Sequence, residues 1–265
     1  MSDIDPADVI HTRIWHEEPE PDNPFATRRA LCRGYDVFGQ MLGQARWVDM
    51  LLLLWRDTLP PRRQRDMLEQ LALALANPGP RDPSVHAAMC GGVGGSMAAA
   101  SLMAALAVGA GRSGGAREVF DAMQAWQQCG THHAAWAALA APAPCDPVEA
   151  FPDREHVPGF DPHGRSLPLS RRQLLQVLAD TAATPRLQWL QAEADTLAAQ
   201  IGYPLALSGI AAAAFADLEL SPEAGELLFL LLRLPGAAAH ALEQRAEGYR
   251  RFPFYQIQLD DAEDA

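Results

Sequence analysis

The residues best suited to chemistry in this chain gather at four turns bounded by glycine or proline. They are Pro78-Gly79-Pro80-Arg81, Arg112-Ser113-Gly114-Gly115-Ala116-Arg117, the stretch PGFDPHGR from Pro158 to Arg165, and Leu205-Ala206-Leu207-Ser208-Gly209. Turns of this kind at helix ends present backbone N–H groups and favour anions. The third turn also carries Asp161 and His163, with His156 just upstream. Those three residues share a loop, so a metal site is one reading. The alternatives for His163 are an acid or polarising group and a merely exposed loop histidine. His132 and His133 are adjacent, and neighbours on a helix point apart, which makes them a poor ligand pair.

What the composition excludes is sharper. The chain has 265 residues, with 33 acidic and 21 basic side chains and a net charge of −12. An acidic balance of this size argues against non-specific nucleic-acid binding and against anionic membranes. All 21 basic residues are arginine. Without lysine, the chain holds no Schiff-base lysine, P-loop lysine or kinase-type lysine. The four cysteines, Cys32, Cys90, Cys129 and Cys145, are scattered. They are expected to be free, buried thiols in a reducing cytoplasm. The N-terminal sequence is acidic and has no signal-peptide pattern. Ser84 to Gly111 lacks charge but is built from Ala, Gly and Ser, so a buried helix or helix pair is expected rather than a membrane span.

The elements that must position these turns are helical. Periodicity predicts a helix from Asp36 to about Arg56, after an extended, proline-interrupted arm from Pro19 to Pro24. A second helix spans Arg62 to Ala76, ended by Asn77-Pro78-Gly79-Pro80. Gly91-Gly92-Val93-Gly94-Gly95 allows helix axes to come close together, within the protein or across a dimer. Further helices are expected over Ala116–Gln128, from Ser170, over Thr184–Gln200 and over Ser208–Asp217. A long irregular connection fills Ala141 to Pro168. Ser221-Pro222 starts a helix that reaches Leu234, Pro235-Gly236 breaks it, and another covers Ala237–Glu247. An acidic tail follows from Asp260. The expected class is all-α, with little room for a sheet.

In order along the chain, these segments resemble the citrate synthase superfamily, nearest to citryl-CoA lyase and the lyase module of ATP-citrate lyase. Arg33-Gly34-Tyr35-Asp36 and the following QMLGQARWVDMLLLLWRDTLP resemble its N-terminal signature. ANPGPRDPSV and AVGAGRSGGAREVF resemble the family's His-Gly-Pro run and its Gly-Gly-Ala helix start. VPGFDPHGR falls at the Gly-x-Gly-His-Arg loop, and YPLALSGIAAAAFADLEL at the Asn-Val-Asp stretch. RLPGAAAHALEQR followed by GYRRFPFY is similar in spacing and type to the family's closing segment.

The resemblance implies a citrate synthase-like helical homodimer. Its large domain would span 1–112 and 213–265, with a smaller domain inserted at 115–212. It implies a CoA thioester and a di- or tricarboxylate as ligands, no permanently bound cofactor and no metal, and the making or cleaving of a carbon–carbon bond. On this basis His163 and Asp161 are the candidate catalytic residues. Arg165, Arg233 and Arg250 or Arg251 are candidates to grip carboxylates, and Arg112, Gly114 and Gly115 to bind CoA. Pairing with Asp or Glu is the alternative role for the arginines. His240 is expected to pack or cap. The departures are as informative. Pro78 and Ser113 stand where family histidines are found, and Leu205 stands where the family has its catalytic aspartate. An apolar side chain cannot take a proton. The alternative is therefore a catalytically inactive relative that serves as a ligand-binding or regulatory subunit.

Overall fold

The computed structural model describes residues 11–141, 156–253, 255 and 257. Cys145 and the acidic stretch 260–265 lie outside them. The predominantly helical class holds, and the described chain opens on a small antiparallel sheet that periodicity did not indicate. It is formed by β1 (Trp15–Glu20), β2 (Asn23–Cys32) and β3 (Tyr35–Asp36), in the order β1-β2-β3. The arm from Pro19 to Pro24 is thus a hairpin corner. The strands escaped the pattern because they are mostly solvated on both faces, and in β2 only Ala30 and Cys32 are buried. Polar side chains link the strands instead: Glu18 pairs with Arg28 at 3.3 Å and Arg29 at 3.4 Å, and Thr27 donates to Glu17 at 2.9 Å.

The expected Asp36–Arg56 helix is divided. Val37–Met41 forms one wide turn whose first free N–H groups are capped by Asp36, which accepts from Gly39 N at 2.9 Å. Gly43 then turns the chain at φ +81, and α1 runs only from Trp47 to Trp55. The helix α2 (Arg62–Leu75) buries Met67, Leu68, Leu71 and Leu75 and stops short of Pro78, as its sequence requires.

The charge-free segment forms a helix pair, α3 (Pro83–Val93) and α4 (Ala98–Gly109), of 11 and 12 residues. Each is about 17–18 Å long, too short for a hydrocarbon layer of about 30 Å. The glycines sit at the closest approaches. A Cβ on Gly92 would lie 2.1 Å from the Ala241 carbonyl oxygen, and one on Gly91 would lie 2.6 Å from Ser101 Oγ. The helices α5 (Ala116–Cys129), α6 (His133–Ala140), α7 (Leu169–Ala182), α8 (Pro185–Ile201) and α9 (Leu207–Asp217) follow, all close to their expected bounds except α6, for which no bounds were expected. Asp217, buried at the end of α9, accepts from Leu187 N at 3.0 Å and so caps α8.

Pro235 does not break the chain's longest helix, α10 (Pro222–Glu247). The proline removes one N–H from the ladder, and the next N–H, that of Gly236, donates to Ala76 O at 2.7 Å. The residue after α2 thus supplies an acceptor for the N–H that follows the proline. Gly236 is required there, since a Cβ would lie 2.7 Å from both Ala76 O and Asn77 Cα. By length and composition α10 is apolar enough to cross a membrane, and nearly half of that apolar window is buried in the fold.

The main core joins α1 and α2 to α5 through α10. A smaller one, of Val85, Ala88, Ala105, Ala237 and Ala241, lies between α3, α4 and α10. A third, of Cys32, Met41 and Leu53, holds the sheet to α1. Cys32 and Cys129 are buried free thiols, and burial raises the pKa of both. Cys90 differs from the expectation and is exposed, because it lies on the outer side of α3.

Candidate functional site

The central helix α9, with its run of buried alanines and Gly209, lets backbone approach its first turn closely. The loop 157–164 lies against that turn. Asp161 N donates to Pro204 O at 2.8 Å, Ala206 N donates to Gly159 O at 2.9 Å, and Phe160 and Leu205 form an antiparallel bridge. Gly159 is at φ +88, and a Cβ on Gly209 would lie 2.2 Å from the Gly159 oxygen. Two glycines therefore set the distance between the third and fourth sequence turns.

The second turn is tied to the same place by Glu118, in the first turn of α5. Its Oε2 accepts from Gly114 N at 2.6 Å. Its Oε1 accepts from Gly159 N at 3.1 Å and from Ser208 Oγ at 2.9 Å, and His156 Nε2 lies 3.7 Å away. Gly115 has no side chain to cap α5, and the Glu118 carboxylate reaches back past it to Gly114 N, just outside the helix. Sequence reasoning passed over this residue, although a glutamate at the third helical position after Gly-Gly is the available signal.

Within the loop, Asp161 and His163 are brought together, His163 N donating to Asp161 Oδ1 at 3.1 Å. Asp161 Oδ2 accepts from Arg171 Nη1 at 2.9 Å. Burial alone would raise the Asp161 pKa, but the bonds from Arg171 and the His163 N–H, with the arginine's charge, hold it below the ordinary value. Arg171 was also passed over. Arg171 and Arg172 occupy the first turn of α7, where a cation opposes the helix dipole. Each is matched by a carboxylate, Asp161 for the first and Asp195, at 2.9 Å, for the second. The imidazole of His163 and the guanidinium of Arg165 are exposed.

Arg112 is exposed on its turn beside Gly114, and Gly115 is buried, its Cα so near the end of α4 that a Cβ would meet Gly111 O at 2.3 Å. Leu205 is 2% exposed and belongs to the main core, so a carboxylate could not be ionised there without new partners. Arg233 stands apart from this cluster. It is buried on α10, paired with Asp82 at the start of α3, with its guanidinium 4.8 Å from the centre of the Phe229 ring. Burial lowers its pKa against the opposing pull of Asp82. One helical face of α10 thus holds the first sequence turn: Arg233 binds Asp82, Gly236 binds Ala76, and His240 Nε2 lies 3.2 Å from Asn77 Oδ1. Arg250 and Arg251 are exposed in a short 3₁₀ turn, Tyr249–Arg251, that continues from α10.

His133 packs on Trp189 and lies 3.4 Å from Glu193. Among the described residues, no group of three or more His, Cys, Asp and Glu side chains is placed to hold a metal ion. A cavity of about 80 Å³ lies away from the loop, between α3, α4 and α10, where Ser101, Leu102, Leu242 and Arg245 line it.

No protein-family model matches the chain, and no curated protein matches it in sequence. Solved structures do match. Citryl-CoA lyase from Hydrogenobacter thermophilus superposes with a TM-score of 0.69 at 18% identity, over 96% of this chain and 96% of that one. ATP citrate lyase from Methanothrix soehngenii, in complex with citrate and coenzyme A, gives 0.69 at 20% identity. The D541A mutant of the Methanosaeta concilii ATP citrate lyase, in complex with (3S)-citryl-CoA, gives 0.67 at 19%. The chain spans 42% of the length of each of these two ATP citrate lyases. It has the citrate synthase-like fold, predominantly helical and structurally near citryl-CoA lyase.

Proposed function

We propose that this protein binds a CoA thioester together with a di- or tricarboxylate and acts on the carbon–carbon bond between the acyl group and the acid. The observation that carries the proposal is the junction at Glu118. Three segments resembling the family's CoA turn, its histidine loop and its aspartate stretch meet there, across 41 and 90 residues of intervening chain. The citryl-CoA and citrate complexes of the matching ATP citrate lyases support the ligand class. In this reading the exposed Arg112 and the Gly114-Gly115 turn meet CoA, Arg165 grips a carboxylate bidentately, and His163 polarises the acid's carbonyl or moves a proton to it. The protein works as a cytoplasmic homodimer, and Arg250 or Arg251 reaches across to the second site. The division into 1–112 with 213–265, and 115–212, belongs to the same proposal.

Binding without turnover is the second reading, and the Asp161–Arg171 pair favours it. A carboxylate held at a low pKa by an arginine is a weak base for a thioester α-proton, and Leu205 supplies none. The test is incubation of purified protein with citryl-CoA, followed by release of acetyl-CoA and oxaloacetate, alongside calorimetric titration with CoA and citrate. His163→Asn and Arg165→Ala are the variants of choice, because both side chains are exposed and the fold does not depend on them. Cleavage lost in His163→Asn supports the enzyme. Binding without cleavage, weakened in Arg165→Ala, supports the binding subunit. Absence of binding by either ligand overturns both.

A further inference from the structure

We infer that Glu118 is a positioning residue that couples the two halves of the ligand site, so that CoA and carboxylate bind cooperatively through it. The inference rests on the proposed function for the identity of the ligands, and on geometry alone for the link. One carboxylate oxygen accepts from Gly114 N in the 112–116 turn, and the other accepts from Gly159 N in the 157–164 loop. Ser208 Oγ adds the first turn of α9 on the same side. The Glu118 side chain is about 5% exposed, so water does not compete for these donors. A shift of either segment that moves its N–H must also move the carboxylate. The carboxylate carries the shift to the other segment, because its two oxygens are rigidly joined.

Both donors of one turn and one loop converge on an acceptor-only group. This is what makes Glu118→Gln a discriminating variant. The amide has nearly the same volume but only one accepting end, so in either orientation its NH₂ faces an N–H donor. One of the two segments is released, and the relay with it.

The experiment uses the full chain. Hydrogen–deuterium exchange compares peptides covering 112–116 and 157–161 in the wild type and in Glu118→Gln, with α2 and α8 as internal references. Citrate affinity is then titrated with and without saturating CoA. The expected wild-type result is a change of about fivefold or more in citrate Kd on adding CoA, the usual range for coupled sites. In Glu118→Gln that ratio falls to about one, exchange rises about tenfold or more in the segment that the amide end releases, and the references stay unchanged. A structural role alone would lower stability without removing the ratio. An unchanged ratio, or no acceleration in either segment, overturns the inference. If the wild type binds neither ligand, the proposed function fails on its own terms, and the exchange comparison still decides whether Glu118 links the segments. If Glu118→Gln does not fold, Ser208→Ala tests the link from its other end. Exchange in both 112–116 and 157–161 is then expected to rise about threefold, and acceleration confined to α9 overturns the inference.

Discussion

Gly209→Ala is the perturbation that most directly tests how the site is held. The new Cβ would lie 2.2 Å from Gly159 O, 3.0 Å from Gly159 C and 2.9 Å from Leu205 Cδ1. Carbon and oxygen rest no closer than about 3.3 Å, so the loop must retreat by about 1 Å. A retreat of that size takes two bonds out of range, Ala206 N to Gly159 O at 2.9 Å and Gly159 N to Glu118 at 3.1 Å. Overpacking costs about 1–3 kcal/mol and the two bonds about 1 kcal/mol each. Alanine recovers about 1 kcal/mol of helix propensity. The net loss is about 2–4 kcal/mol, which lowers Tm by roughly 5–12 °C. The assay is urea and thermal unfolding followed by circular dichroism, with Gly94→Ala as control. In that control the nearest atom to the new Cβ is Cys90 O at 3.3 Å, and no large change is expected. Displacing the loop by 1 Å also weakens any turnover by about 100-fold. If Gly209→Ala is as stable as Gly94→Ala to within about 0.5 kcal/mol, the close approach does not set the loop's position and the argument fails.

Replacing Arg171 with Ala removes the group that keeps the Asp161 pKa low. With a lowered folded pKa, Asp161 contributes stability that is full above its ordinary pKa and is lost as pH falls through the lowered value. Arg171→Ala should therefore lose about 1 kcal/mol near neutral pH and much less in strong acid, as unfolding curves across the carboxylate range would record. Asp82→Ala leaves Arg233 buried without its partner and should cost about 3–5 kcal/mol. Asp195→Ala, which breaks an exposed pair with Arg172, should cost under about 1 kcal/mol by the same denaturation assay. Asp217→Ala uncaps α8 from a fully buried position, for an expected loss of about 2–3 kcal/mol with faster amide exchange at Leu187.

The parts of the fold legible in the sequence are those whose signals are local. The charge-free run of small residues gave a tightly packed helix pair because nothing but close packing suits Gly91 and Gly92. Ser221 read as a cap, and its Oγ accepts from Ala224 N at 3.2 Å. The sheet was not legible because strands exposed on both faces carry no alternation. The continuity of α10 was not legible either, since the N–H after Pro235 finds its acceptor at Ala76, far away in the chain. The same holds for the candidate site. Asp161 and His163 were visible as types in one loop. Glu118 and Arg171, which decide how that loop is placed and charged, carry meaning only through partners 41 and 10 residues distant. Arg233 shows the converse: its match to a family position was plain, and its burial against Asp82 came from the fold.

The pairing of Gly236 with Ala76 also bears on how the protein is made. Gly236, Arg233 and His240 hold the turn after α2, and the Arg233–Asp82 and His240–Asn77 contacts close over 151 and 163 residues. On the ribosome, α3 and α4 are complete long before α10 emerges, so the faces they turn to α10, such as that of Gly92 against Ala241, have nothing to cover them during that interval. Final assembly of this part must wait until translation has passed Glu247. The nascent chain accordingly carries an open apolar seam from the completion of α4 until α10 is made.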